Sequence, residues 1–282
     1  MGENALAPRL CILGPLRLRG PAGDVALGGT RPRRLLAALA LNPNEVASTS
    51  LLADAIWGAT PPRSARQNLH TYIWSLRRAL ATAGRLSIEE RAPGYVLRVQ
   101  PDDLDWLYFH RNAALAAQCA ASDPVVASRL LHAALGYWPA STGQGNVVAD
   151  VADGIPALRA RIASMEEARM TALEQRIQAD LATGRQAGLV AELAGLVAEH
   201  PLRERFREQQ MLALYRCGRQ AEALGAYRDL RATLADELGI DPSPPVRELY
   251  QAMLRADPGL ATGAVSPRSQ LARSVVPLSL RS

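Results

Sequence analysis

The sequence predicts a mostly α-helical protein with a small β component: an N-terminal winged helix-turn-helix followed by an all-α, tetratricopeptide-like domain. Three observations carry this. The first hundred residues set short apolar runs and turn residues beside three helical patterns and close on a hairpin pattern. Beyond residue 105 the apolar residues recur almost wholly at helical spacing. Within that stretch TGRQAGLVAEL, from 183, and CGRQAEALGAY, from 217, nearly repeat, and Gly184 to Gly218 is 34 residues, the tetratricopeptide period.

Taken in order, residues 9 to 28, RLCILGPLRLRGPAGDVALG, are apolar or alternating runs broken by Gly-Pro and Pro-Ala-Gly, which predicts two or three short strands. TRPRRLLAALALNPN predicts a helix capped near Thr30, with Leu35, Leu36 and Leu39 inward, that stops at Asn42 and Pro43. Ser48 or Thr49 caps a brief helix, STSLLADAIWG, which buries Leu52, Ile56 and Trp57 and ends at Gly58. After the turn GATPP comes PPRSARQNLHTYIWSLRRAL, residues 61 to 80. Ala65, Leu69, Ile73, Leu76 and Leu80 fall on one side of a helix there. Gln67, Asn68, His70, Thr71, Trp74, Ser75, Arg77 and Arg78 point away from that stripe or flank it. Amides, hydroxyls and guanidinium groups are the chemistry that reads base edges and holds phosphates. LSIEERAPGYVLRV, 86 to 99, predicts a hairpin with Leu86 and Ile88 against Tyr95, Leu97 and Val99 across a Pro93-Gly94 turn. Sheet, helix, helix, turn, long basic helix, hairpin is the winged helix-turn-helix order, in which the third helix enters the major groove and the hairpin reaches a phosphate or the adjacent minor groove. Residues 8–100 form this expected domain.

PDDLD, 101 to 105, reads as a polar hinge into a second domain, 106–257. Helices are expected at 106–121, 124–138, 156–183, 185–199, 201–217, 219–238 and 244–256. Ala187 and Ala221, just inside the repeated Gly-Arg-Gln-Ala, are small enough to let paired helices approach closely. PASTGQGNVVADVADGI, 139 to 155, interrupts the helices and predicts a long ordered loop or a partly mobile connection. Residues 258–282, small, polar and aperiodic, are expected to form a disordered tail.

Composition narrows the chemistry. A chain of 282 residues is long enough for two domains. All 32 basic residues are Arg. Without Lys there is neither a phosphate-binding GxxxxGK[ST] loop nor an amine nucleophile. The net charge of +5 is uneven: residues 1 to 99 carry 13 Arg against 6 acids, and 100 to 258 carry 16 Arg against 21. A basic first third suits a polyanion partner. Cys11, Cys119 and Cys217 stand far apart, outside any CxxC, and read as buried reduced thiols. His70, His110, His132 and His200 are not at metal-ligand spacing. Glu166-Glu167 and Asp236-Glu237 are adjacent on helices, about 100° apart, and form no working carboxylate pair. No GxSxG or GxGxxG occurs, and the GQG at 143 to 145 lacks a preceding strand. The expectation is a non-enzyme without metal or cofactor. With no secretory leader or membrane-spanning run in the sequence, a cytoplasmic, nucleoid-associated location is expected.

GGTRPRRLLAALAL, LLADAIWG with the following PPRSARQNLHTYIWSLRRAL, and APGYVLRV resemble the SARP (Streptomyces antibiotic regulatory protein) transcriptional activators. ALEQRIQADLATGR and LVAEHPLRERFREQQMLALYRCGRQAEALGAYRDLRATLADELGIDP continue the resemblance, which covers residues 8 to 256 and matches the small form of the family. It implies a winged helix like that of response-regulator effector domains and a bacterial transcriptional activation domain of tetratricopeptide type. It also implies an activator of a secondary-metabolite, that is antibiotic, gene cluster. Such an activator binds direct repeats in double-stranded promoter DNA, with a second protomer side by side, and recruits RNA polymerase holoenzyme with its sigma factor. Two departures stand out. Trp138 leads into PASTGQGN where an acidic, Leu-rich phrase is expected, and Trp74 replaces a small or basic residue in the reading helix.

Carried over position by position, the resemblance implies Asn68, Thr71 and Ser75 as base readers, with Tyr72 partly buried beside the groove. Arg66, Gln67, Arg77 and Arg78 become phosphate clamps and Arg91 a wing contact. Trp74 packs on sugar, a thymine methyl or a neighbouring protomer. The turn Gly58, Ala59, Thr60, Pro61 and Pro62 looks like the polymerase-facing loop of related winged helices, or is a tight interhelical turn and nothing more. A reading from another class stays open: a tetratricopeptide-type interaction or signal-binding protein whose first domain is a docking module.

Overall fold

The computed structural model describes residues 8–139, 147–151 and 156–260. By its contacts the chain forms two compact units, Met1–Arg176 and Ile177–Ser282. The GQG at 143 to 145, most of the 139 to 155 connection and the tail from 261 lie outside the described residues.

The first unit opens with an antiparallel meander of β1 (Leu10–Cys11), β2 (Arg17–Gly20) and β3 (Gly23–Asp24). Leu16 and Leu18 go inward and Arg17 and Arg19 outward, the two-residue alternation of a half-buried strand. α1 (Thr30–Ala40) begins on Gly29, which offers no side-chain cap where Thr30 was expected to serve, and Leu35, Leu36 and Leu39 are fully buried. α2 (Thr49–Trp57) is capped as its sequence implies: the Ser48 hydroxyl accepts from the Leu51 N–H at 3.2 Å, and Gly58 ends the helix at φ +62°. Leu52 and Ile56 are buried, but Trp57 is only half-buried. α3 (Ala65–Ala83) seats Leu69, Ile73, Leu76 and Leu80 at no more than 2% exposure. Burying four such side chains contributes on the order of 6 kcal/mol or more toward fixing which face looks out. Ala65, at the first position of the helix, is half-buried, so the stripe starts one turn later than its spacing implied.

β5 (Ser87–Arg91) and β6 (Gly94–Arg98) form the hairpin, with Ile88 opposite Leu97. The turn falls one residue earlier than predicted, on Ala92 and Pro93, because Gly94 is already in the sheet. It pairs with Arg91 on one side and with Ser48 of β4 (Ala47–Ser48) on the other. The wing is therefore three-stranded, in the order β4-β6-β5. A Cβ at Gly94 would lie 1.9 Å from the Ala47 carbonyl oxygen, so this close crossing admits only glycine.

The expected hinge is largely interior. Leu10 N–H donates to the Asp103 carbonyl at 2.9 Å, and Asp105 is 1% exposed. The Asp105 carboxylate accepts from the backbone N–H groups of Ile12, Leu13 and Trp106. A run of acids reads as solvated, yet here β1 ends in amides that its own strand partner does not satisfy, and Asp105 satisfies them. α4 (Asp105–Cys119) and α5 (Pro124–Leu135) form a helical pair, the second capped by the Asp123 carboxylate with Pro124 at its first position. Trp106, Phe109 and Trp138 cluster with ring centroids 5.4 and 5.5 Å apart. Of the 139 to 155 connection, Val147, Val148 and Val151 are buried, and Val148 N–H donates to Ile12 O at 2.8 Å. Asp150 accepts from the Leu16 N–H and pairs with Arg33. That portion is anchored core.

α6 (Arg159–Ala182) follows a 3-10 turn, Pro156–Leu158. The second unit holds its end with α7 (Gln186–Glu199), α8 (Glu204–Arg216), α9 (Gln220–Leu238) and α10 (Pro244–Leu254). The 34-residue repeat is structural. Gly184 and Gly218 sit at φ +79° and +77°, and Arg185 and Arg219 donate their N–H groups to carbonyls five residues back, those of Asp180 and Leu214. Ile177 and Met211, Leu189 and Ala223, and Leu196 and Leu230 are buried in matching places. Ala187 and Ala221, expected between helices, are exposed. The buried small residues of this unit among those described are Ala179, Ala213, Ala223 and Ala226. Tyr227 and Tyr250 stack at 4.0 Å beside the core of Met211, Leu230, Leu234, Val246 and Met253. Pro258–Leu260, assigned to the tail from sequence, form a 3-10 turn whose Leu260 carbonyl accepts from Arg216 Nε at 2.8 Å. The three cysteines are half-buried free thiols rather than buried ones.

Candidate nucleic-acid interface

The buried stripe of α3 decides what its other side presents. Arg66, Gln67, His70, Thr71, Trp74, Ser75, Arg77 and Arg78 are exposed, and Asn68 and Tyr72 are half-buried. The helix therefore brings every residue assigned to it from sequence onto its outer face or flank.

Local contacts give these side chains different degrees of freedom. Asn68 Nδ2 donates to the Ser64 hydroxyl at 3.1 Å, and Thr71 Oγ1 donates to the Gln67 carbonyl at 3.2 Å. Both bonds orient a polar end along the first turns of the helix. The Trp74 indole is 60% exposed, and the Arg78 guanidinium lies over it, 4.9 Å from the ring centroid. Such stacking holds a cation flat at an exposed site for about 0.5–1 kcal/mol. Tyr72 packs against Trp57 at 6.3 Å, on the flank toward α2.

Arg77 differs from the other arginines. Its Nε donates to the Ile88 carbonyl in β5 at 2.9 Å, so it joins reading helix to wing while its guanidinium stays exposed. Arg91 is 62% exposed at the hairpin, 3.5 Å from Glu89. Glu89 also accepts from Arg98 Nε at 3.0 Å, and these two arginines, Arg98 foremost, hold its carboxyl below the usual carboxylate range. The wing thus carries an acid between two cations: Arg91 lies two residues along the same strand, and cross-strand register brings in Arg98, which sequence spacing did not suggest. A second tie between helix and wing, from Tyr95 to His70 at 3.1 Å, was also missed. Alternation placed Tyr95 inward, but not against which helix residue.

Between α2 and α3, Ala59, Thr60, Pro61 and Pro62 are exposed, and the Pro62 carbonyl accepts from Ala65 N–H to start the helix. Among the described residues no group of His, Cys, Asp and Glu is arranged to hold a metal ion, and no helix is long and apolar enough to cross a membrane.

A basic, outward-facing third helix flanked by a sheet wing, with a helical repeat domain after it, defines a winged-helix transcriptional regulator. Residues 24–97 match the transcriptional regulatory protein C-terminal family, and residues 104–254 match the bacterial transcriptional activator domain. The regulatory protein AfsR of Streptomyces griseus is 40% identical over 265 residues, 94% of this chain and 26% of that protein. This chain thus spans about a quarter of AfsR's length. The regulatory protein DnrI of Streptomyces peucetius is 36% identical, over 88% of this chain and 93% of DnrI. A solved structure of Mycobacterium tuberculosis EmbR, in complex with a low-affinity phosphopeptide, superposes with a TM-score of 0.81 at 36% identity, covering 89% of this chain and 66% of EmbR. The chain belongs to the SARP family of transcriptional activators.

Proposed function

We propose that this protein is a sequence-reading activator that lays α3 in the major groove of promoter DNA. It binds direct repeats as protomers side by side and recruits RNA polymerase holoenzyme with its sigma factor to a secondary-metabolite cluster, working in the cytoplasm at the nucleoid. The observation that carries this is the outer face of α3, where amides, hydroxyls and arginines stand exposed opposite a fully buried leucine and isoleucine stripe. Asn68, Thr71 and Ser75 read bases. Arg66, Gln67, Arg77 and Arg78 hold phosphates, Tyr72 flanks the groove and Arg91 reaches the backbone from the wing. Trp74, held under Arg78, covers sugar, a thymine methyl or the adjoining protomer. The turn Gly58 to Pro62, exposed from Ala59 onward and beside the reading helix, is the polymerase contact.

The test is selection of duplexes from a random library by the full-length chain, followed by binding of variants. A tandem motif with fixed same-strand spacing supports head-to-tail protomers. Asn68→Ala is expected to cost about 1–3 kcal/mol on the selected duplex and little on random DNA, whereas Arg66→Ala weakens both alike. Substitutions across Ala59 to Pro62 that leave duplex binding intact but abolish transcription in vitro support the polymerase contact. Sequence-blind, salt-sensitive retention alone sinks the reading and favours an interaction module.

A further inference from the structure

His70 stands on the exposed side of α3, one turn beyond Arg66 and Gln67 and one turn before Trp74. Its Nδ1 lies 3.1 Å from the Tyr95 hydroxyl, with the rings edge to face at 81° and 6.3 Å between centroids. Tyr95 is 4% exposed and sits in the central strand of the wing, opposite Ala47 on one side and Glu90 on the other. That pairing leaves the phenol little room to move. Burial, with help from Glu90 and against Arg77 and Arg66, pushes the phenol above its ordinary range, so the hydroxyl keeps its proton at neutral pH. A phenol can donate or accept, and among the described residues its hydroxyl meets His70 Nδ1, a pair in which the tautomer decides which atom donates. With the phenol as the donor of this pair, Nδ1 is the acceptor and the ring proton sits on Nε2. Nε2 is on the side of the ring away from Tyr95.

We infer that His70 is a further duplex contact whose Nε2–H is delivered to an acceptor atom on the DNA, and that Tyr95 is the positioning residue that fixes its tautomer and ring plane. The inference rests on the proposal that α3 faces duplex DNA. A single outward N–H donor suits purine N7, guanine O6 or a phosphate oxygen, and it rejects the exocyclic amino groups that cytosine and adenine present. The wing does not depend on this bond alone, because Arg77 ties α3 to β5 independently. Removing the Tyr95 hydroxyl therefore releases the imidazole without releasing the hairpin.

The experiment uses the full-length chain, its library-selected duplex, a scrambled duplex of equal length, and nitrogen-15 spectra of the histidine rings. In the wild-type chain the His70 ring is expected to carry its proton on Nε2. His70→Ala is expected to weaken binding about fivefold to tenfold, the worth of one intermolecular hydrogen bond. His70→Gln, whose amide N–H extends in the same direction, recovers most of that. Tyr95→Phe is expected to cost about twofold to threefold in affinity, less than the full bond, and to mix the two His70 tautomers while leaving the melting temperature nearly unchanged. Loss confined to the selected duplex assigns the acceptor to a base, and equal loss on both duplexes assigns it to a phosphate. Wild-type binding by folded His70→Ala on both duplexes overturns the contact, and a ring proton found on Nδ1 overturns the role of Tyr95. If the wild-type chain retains neither duplex, the duplex-facing reading of α3 fails, and this contact fails with it.

Discussion

Arg77 Nε donates to the Ile88 carbonyl at 2.9 Å, which makes one arginine both a strut between reading helix and wing and an exposed cation. The four N–H groups on its terminal nitrogens remain for DNA. Arg77→Ala should therefore lower two quantities together: stability by about 1 kcal/mol, from the lost hydrogen bond, and the slope of log affinity against log salt by about 0.9, from one lost phosphate contact. Urea unfolding and binding titrations across salt measure both. A fall in stability with an unchanged slope would reduce Arg77 to a strut.

Gly94→Ala should be among the most damaging single changes in the first unit. The added Cβ meets Ala47 O at 1.9 Å and Ala47 C and Ser48 Cα at 2.8 Å, all backbone that no rotamer change can move aside. Either β4 leaves β6 or the hairpin shifts. We expect a loss of about 3 kcal/mol or more, with duplex binding lost in parallel, read by urea midpoint and hydrogen exchange in the wing. A midpoint within the error of wild type would refute the close crossing.

Gly218→Ala poses the opposite case. Nothing lies within 4 Å of a Cβ built there, so the whole cost is that of holding a side-chain-bearing residue at φ +77°. That cost is about 1–2 kcal/mol. Asn, which tolerates the left-handed region better, should recover part of it. Thermal unfolding of the three proteins gives the ranking Gly, Asn, Ala, and Ala equal to Gly would contradict the left-handed turn.

Burial pushes the Asp105 carboxyl up to about 7, against the pull of the Leu13, Ile12 and Trp106 amides. Between about 3.8 and 7 the folded protein then binds a proton that the unfolded chain has released. Stability from this group is full below that window and is lost as pH rises through it. Wild type should gain stability between pH 7.5 and pH 5 relative to Asp105→Asn, which cannot titrate. Parallel pH profiles for the two proteins would mean that the three amides cancel the burial.

Helices were legible where periodicity meets punctuation. Leu69, Ile73, Leu76 and Leu80 name the inner face of α3, and Gly58, Gly184 and Gly218 mark the helix junctions because only glycine takes those angles cheaply. What stayed hidden depends on partners distant in sequence. Ala47 and Ser48 look like the run-up to a helix cap, and they become a strand only because β6 lies beside them. Asp105 looks solvated until β1 brings amides with nowhere else to go. The outer face of α3 was legible residue by residue, but not its two ties to the wing, from Arg77 to Ile88 and from His70 to Tyr95, since hairpin register sets both.

The fan of amides on Asp105 also bears on how such genes can be cut and rejoined. The carboxylate lies 93 residues from the Ile12 amide it accepts. A recombination breakpoint placed just after the hairpin would keep every residue of the reading helix, yet wherever the incoming α4 lacks an acid at this place the Ile12 and Leu13 N–H groups would be buried without an acceptor, at about 1–3 kcal/mol apiece. Successful exchange of reading modules between related genes should carry the first turn of α4 along with the wing. The heritable block is then defined by where a buried acceptor sits, and it extends past the last residue that faces DNA.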